Sequence, residues 1–115
     1  MVNPEERYIP DRGHIVYLDF DPTKGHEQRG HLPALVLSPR SYNAKSSLAL
    51  FTPITRHQKG YPFEVLLSPE LQIQGVILTD QIKCLDWKAR KVQFVETVSA
   101  SLVEEVQAKI EPLIL

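Results

Sequence analysis

Nine prolines are spread through 115 residues, at positions 4, 10, 22, 33, 39, 53, 62, 69 and 112. Each removes a backbone donor and fixes φ, so long helices and long uninterrupted strands are excluded over most of the chain, and many short strands fit the spacing. The first predicted strand is His14 to Phe20, ended by Asp-Pro at 21 and 22. The next runs from Pro33 to Ser38 and stops at Pro39; a short turn or helical piece holds Ser41 to Lys45; Ser47 to Thr52 forms a third strand before Pro53. Phe63-Glu-Val-Leu-Leu follows, then a strand from Val76 to Ile82 or Leu85, then Val92 to Val98. Between them, Thr23 to Gly30 and Thr55 to Gly60 read as polar loops.

The last segment changes period. Leu102, Val103, Val106, Ile110, Leu113 and Ile114 recur at steps of three and four, the stripe of an amphipathic helix. Ser101 and Glu104 have capping-box spacing, Ser99 is a rival N-cap, and Pro112 should end or bend the last turn. The expected fold is mainly β with a C-terminal helix (α+β): a small, strongly curved antiparallel sheet or half-open barrel, with the helix covering one edge or opening.

With 43% hydrophobic and 23% charged residues, the chain has the balance of one soluble globular domain spanning residues 1–115. Its single cysteine, Cys84, rules out an internal disulfide and reads as a small buried strand residue in a reducing compartment. The N-terminus is acidic, with no apolar run of about 7–15 residues to mark a secretory signal, and no apolar stretch approaches the roughly 18 that a membrane span needs. A cytoplasmic location is therefore expected. The formal net charge of −1 argues against a general nucleic-acid binder, but the charge is segregated. Between Pro22 and Phe63, six bases (Lys24, Arg29, Arg40, Lys45, Arg56, Lys59) face one acid, Glu27, giving +5 there and −6 elsewhere. Either an anion-binding face or loops matched in space by the acidic remainder would explain this.

His26-Glu-Gln-Arg-Gly-His31 superficially resembles a zinc-protease motif, which needs two histidines at i and i+4 on a helix. Here they stand at i and i+5, roughly 140° apart on a helix, and Gly25 and Gly30 disfavour one in any case. Four histidines could supply a general acid and base near neutrality. His14, at a strand start, reads as structural, while His31 and His57 lie in the basic loops.

Nearly the whole chain resembles the MazF/PemK family of bacterial toxins, the mRNA interferases. The matching pieces are Tyr8-x-Pro10-Asp11-x-Gly13, Asp19-Phe-Asp-Pro-Thr-Lys-Gly-x-Glu27-Gln28-x-Gly-His31, Pro33-Ala-x-Val-Leu-Ser-Pro39, Tyr42-Asn43, Pro53-x-Thr55, Lys59-Gly-Tyr-Pro-Phe-Glu-Val65, Gly75-Val76, Asp80-Gln-x-Lys83 and Trp87-x-Ala-Arg90. The resemblance implies an SH3-like antiparallel β-barrel that dimerises, binds single-stranded RNA, and cuts it at a short sequence without metal or other cofactor. The ribose 2′-OH would be the nucleophile, leaving 2′,3′-cyclic phosphate and 5′-OH ends.

It also implies that the catalytic groups fall at Glu27, Thr55 and the residue before Pro33. Family members carry arginine at that last position; this chain has Leu32, which offers neither proton nor charge. Leu32 could be a substitution that lets a toxic protein be produced, the mark of an inactive relative, or a loss rescued by Arg29 or His31. On the same resemblance Phe20 would stack a base, and Gln28, Asp80 and Gln81 would meet base edges. Lys59, Lys83 and Arg90 would hold phosphates, and Lys24, Arg29, His31 and Arg56 complete the basic RNA-binding set. Phe20 also fits ordinary core, and Trp87 reads as core or dimer contact. The implied partner is a MazE-like antitoxin whose disordered acidic tail fills the RNA groove. Two other readings stay open: an RNA-binding relative without activity, and a CcdB-like toxin that binds a protein target.

Overall fold

The computed structural model describes residues 8–21, 25 and 30–115. In chain order the elements are β1 (His14–Asp19), β2 (His31–Val36), α1 (Arg40–Ser46), β3 (Leu48–Thr55), β4 (Glu64–Leu66), β5 (Val76–Leu78), a 3-10 turn (Thr79–Gln81), β6 (Lys83–Asp86), β7 (Gln93–Thr97) and α2 (Ala100–Ile114). Neighbouring strands are antiparallel in the order β4-β5-β3-β2-β1-β7, and β6 also pairs with β3. This is the curved, barrel-like sheet with a C-terminal helix that the short strands call for.

The long strand β3 organises the curvature. One edge pairs with β2; the other changes partner, taking β6 along Leu48–Phe51 and β5 at Ile54 and Thr55. Pro53 was expected to stop this strand and instead lies inside it. It sits in the gap between the two partners, where a missing N–H is tolerated. The predicted strand from Val76 onward breaks at buried Thr79, whose N–H and hydroxyl both donate to the Phe63 carbonyl, at 3.1 and 2.6 Å.

Alternation along the strands builds an apolar cluster on each side of the sheet. Ile15, Leu35 and Ile54 pack against α2 through Leu102, Val103, Val106 and Ile110. Val16, Leu18, Phe20, Ala34, Val36 and Phe51 fill the other side with Trp87. Helix α2 starts at Ser99, whose Oγ accepts the Leu102 N–H at 3.2 Å, and Pro112 is accommodated in its last turn. Buried Asn43 ties distant segments together: its Nδ2 donates to the carbonyls of Pro10 (2.7 Å) and Ser38 (3.0 Å), and its own carbonyl accepts the Trp87 indole N–H (3.0 Å). Cys84 is exposed, contrary to expectation, because half-buried Lys83 and Leu85 take the inward positions of β6. Among the described residues no helix is long and apolar enough to cross a membrane.

Candidate active site

Strands β2 and β3 pair as Val36 with Phe51, Leu35 with Thr52 and Ala34 with Pro53. Continuing that register brings Leu32 opposite Thr55, and directly opposed residues share a face. The two positions that resemblance singles out, 23 residues apart in sequence, thus fall at the same end of the β2–β3 pair, two residues beyond its last pair, Ala34 with Pro53. Leu32 is half-buried and packs against the cluster containing Leu18 and Phe20, so its side chain serves as barrel wall. Thr55 is half-buried, and its Oγ1 accepts the His57 N–H at 3.1 Å, which leaves the hydroxyl proton available to donate.

Backbone geometry fixes Thr55 from behind. Gly75 has φ +122°, and a Cβ there would lie 2.2 Å from the Thr55 carbonyl oxygen, so only glycine lets the two segments approach this closely. Beyond Thr55 the exposed residues Arg56, His57 and Lys59 form a cationic loop. The Glu64 carboxylate closes it, accepting the N–H groups of Lys59 (3.1 Å) and Gly60 (2.9 Å), and Lys59 Nζ lies 5.8 Å from the Tyr61 ring centroid.

The opposite face of the β1–β2 hairpin carries His31, exposed and stacked on Tyr17 with centroids 5.6 Å apart and planes 10° apart. An open depression of about 440 Å³ adjoins it, lined by Asp19, His31, Ala89, Arg90, Lys91 and Gln93. Nearby, Tyr8 OH donates to His14 Nδ1 at 2.8 Å, and Phe94 meets the imidazole edge-on at 4.9 Å. Burial pushes the Tyr8 phenol up and the His14 imidazole down, whereas backbone N–H donors from Arg40 and Arg12 hold the Asp11 carboxyl below its usual value.

Residues 11–114 match the model of the PemK-like, MazF-like toxin family of type II toxin-antitoxin systems. The chain belongs to this family. It is 49% identical over 108 residues to the endoribonuclease toxin MazF of Escherichia coli K12, covering 94% of this chain and 96% of that protein. Among solved structures, MazF from Deinococcus radiodurans superimposes with a TM-score of 0.90 at 45% identity, covering 93% and 97% of the two chains. A MazE-MazF complex from the same organism gives 0.84 at 42% identity over the same shares.

Against the family pattern, the fold brings together part of the expected set. Leu32, Thr55, Arg56 and Lys59 gather at one end of β2 and β3. Lys24, Glu27, Gln28 and Arg29 lie outside the described residues, although Asp21 and Gly30 on either side of them sit at this same end. Lys83 is set apart: it pairs with Phe51, four positions from Thr55 along β3, or roughly 13 Å at strand rise. Asp80 and Gln81 occupy the 3-10 turn, separated from Thr55 by the length of β5.

Two assignments change, and a third residue has partners of its own. Phe20, expected to stack a base, is 1% exposed within the core, so its ring presents no face to a ligand in this structure. His31 points away from Leu32 across the pleat, so it is not placed to replace an arginine there. Arg90, expected at a phosphate, has its Nη1 occupied by the carbonyls of Asp19 (2.9 Å) and Asp21 (2.8 Å). Sequence reasoning missed Tyr17, whose partner His31 follows only from the hairpin register, two residues diagonal to Pro33. Trp87, 5% exposed, is core.

Proposed function

We propose that this chain is an endoribonuclease toxin that cleaves single-stranded mRNA at a short sequence without metal, and that a cognate MazE-like antitoxin neutralises it. The observation that carries the reading is the placement of Leu32 and Thr55 at the same end of the paired strands β2 and β3, beside a cationic loop. Family membership and the endoribonuclease relatives support the activity; the MazE-MazF complexes support the partner. As in the family, the working form is a homodimer.

In the proposed reaction the 2′-oxygen attacks the adjacent phosphorus while a base takes its proton. The bond from phosphorus to the 5′-oxygen breaks, and that oxygen takes up a proton, giving a 2′,3′-cyclic phosphate and a 5′-OH. Thr55 donates a hydrogen bond from its hydroxyl to a phosphoryl oxygen, Glu27 acts in proton transfer, and the negative charge that builds on the phosphoryl oxygens needs a cation at position 32. Leucine cannot supply one, so the chain as it stands is impaired by about 10²- to 10⁴-fold.

The test is to incubate the protein and its Leu32→Arg variant with a long unstructured RNA in EDTA and map the ends. Arginine fits at a half-buried strand end because its stem can cover the apolar wall while the guanidinium reaches solvent. The variant should cut at a short motif, leaving cyclic phosphates, at least a hundredfold faster than the parent. No cutting by either protein would overturn the nuclease reading and turn attention to RNA or protein binding without chemistry.

A further inference from the structure

Arg90 reaches the first polar loop from a distant part of the chain, and it does so from a rigid base. The turn between β6 and β7 is held by the Asp86 carboxylate, which accepts the N–H groups of Lys88 and Ala89 at 3.0 Å each. The Arg90 N–H donates to the Asp86 carbonyl at 3.2 Å, and buried Trp87 is pinned to the Asn43 carbonyl. From this turn Arg90 Nη1 donates to both the Asp19 and Asp21 carbonyls, where the chain leaves β1. The returning end of the loop is fastened to the same place: the Phe20 N–H donates to the Gly30 carbonyl at 2.9 Å, and the Gly30 N–H to Asp21 Oδ1 at 3.1 Å.

We propose that Arg90 is a positioning residue that ties the chain leaving β1 to the β6–β7 turn, with Asp21 fastening Gly30 to that same point, and that it is not a phosphate ligand. The consequence for catalysis rests on the nuclease reading, because the loop carries Glu27; the clamp itself does not. A carbonyl pair is held by a planar guanidinium with fixed donor directions, which a flexible, strongly hydrated ammonium does not reproduce. Asp21 belongs to the same clamp with the opposite charge, and this separates positioning from simple electrostatics. Removing a carboxylate near a phosphate site should tighten RNA binding, whereas loosening the loop should weaken it.

The experiment uses the full chain, a 2′-O-methyl RNA oligonucleotide that cannot be cleaved, and amide hydrogen exchange. Arg90→Ala, Arg90→Lys and Asp21→Ala should each speed exchange at Phe20 and Gly30 by about tenfold or more, with buried Val106 and Ile77 unchanged. All three should weaken RNA binding with the salt slope intact. If Arg90→Lys retains affinity, Arg90→Ala lowers the slope by about 0.7 and Asp21→Ala binds RNA more tightly, Arg90 is a phosphate ligand and the proposal fails. Unchanged exchange at Phe20 and Gly30 overturns the clamp directly. Should Arg90→Ala not fold, the other two variants carry the same comparison. If the parent binds no RNA, exchange still decides the clamp, and the RNA reading fails separately.

Discussion

At the scale of single residues, His14 shows how burial converts a side chain into a pH-dependent strut. Its Nδ1 accepts the Tyr8 hydroxyl at 2.8 Å and lies 3.3 Å from the Asp11 N–H, so the ring is neutral with its proton on Nε2. Desolvation, the largest cause, holds its pKa below the ordinary 6.5; the Arg40 charge adds to this, and the Asp11 charge opposes it. As pH falls through 6.5 the unfolded chain takes up a proton that the folded chain refuses, so stability declines until pH passes the folded value. Melting temperature should therefore drop between pH 7.5 and 5.5, and less steeply in His14→Gln, which does not titrate. Equal slopes for the two proteins would contradict this account. Leu32 makes a different point at the same scale: the leucine is well packed and chemically silent, a combination that stability measurements alone would never flag.

At the scale of elements, the start of α2 separates two cues that look alike in sequence. Ser101 with Glu104 has the capping-box spacing, yet Ser99 holds the Leu102 N–H, and Ser101 lies one position inside the helix. Ser99→Ala should cost about 1 kcal/mol and Ser101→Ala only a few tenths, read as urea midpoints at constant slope. Comparable losses would mean that the cap is shared. This helix was legible because six apolar residues keep one period; β1 and β2 were legible because β-rich runs end at polar loops. Pro53 misled because its tolerance depends on β6 and β5 meeting β3 on either side of it, a fact of pairing that no local sequence carries. The break at Thr79 depends in the same way on the Phe63 carbonyl, and Arg90's partners lie about 70 positions away. Of the candidate site, the placement of Leu32 and Thr55 at the same end of paired strands was not visible in sequence; only their family positions were.

At the scale of the whole molecule, folding divides the basic stretch of the sequence between two ends of the sheet. Strand β2 runs away from the Leu32 end into α1, which carries Arg40 and Lys45, and β3 runs back to Thr55, Arg56 and Lys59. Six strand residues, roughly 20 Å, separate the two groups. Lys24 and Arg29 lie outside the described residues; in sequence they fall between Asp21 and Gly30, which are both at the Thr55 end. Single-stranded RNA and an acidic antitoxin tail would be drawn to that same end and should exclude one another. Binding of a non-cleavable RNA, followed by fluorescence anisotropy, should weaken in direct competition with an acidic peptide. Replacing Arg56 and Lys59 together by glutamine should reduce the salt slope by about 1.4, two phosphate contacts at roughly 0.7 each for a single strand. Replacing Arg40 and Lys45 should leave the slope where it was, because Arg40 stands beside Asp11 and its backbone N–H donates to that carboxylate at 2.8 Å. Equal effects from the two pairs would mean that RNA follows the total charge of the molecule and not the end that its fold has made cationic.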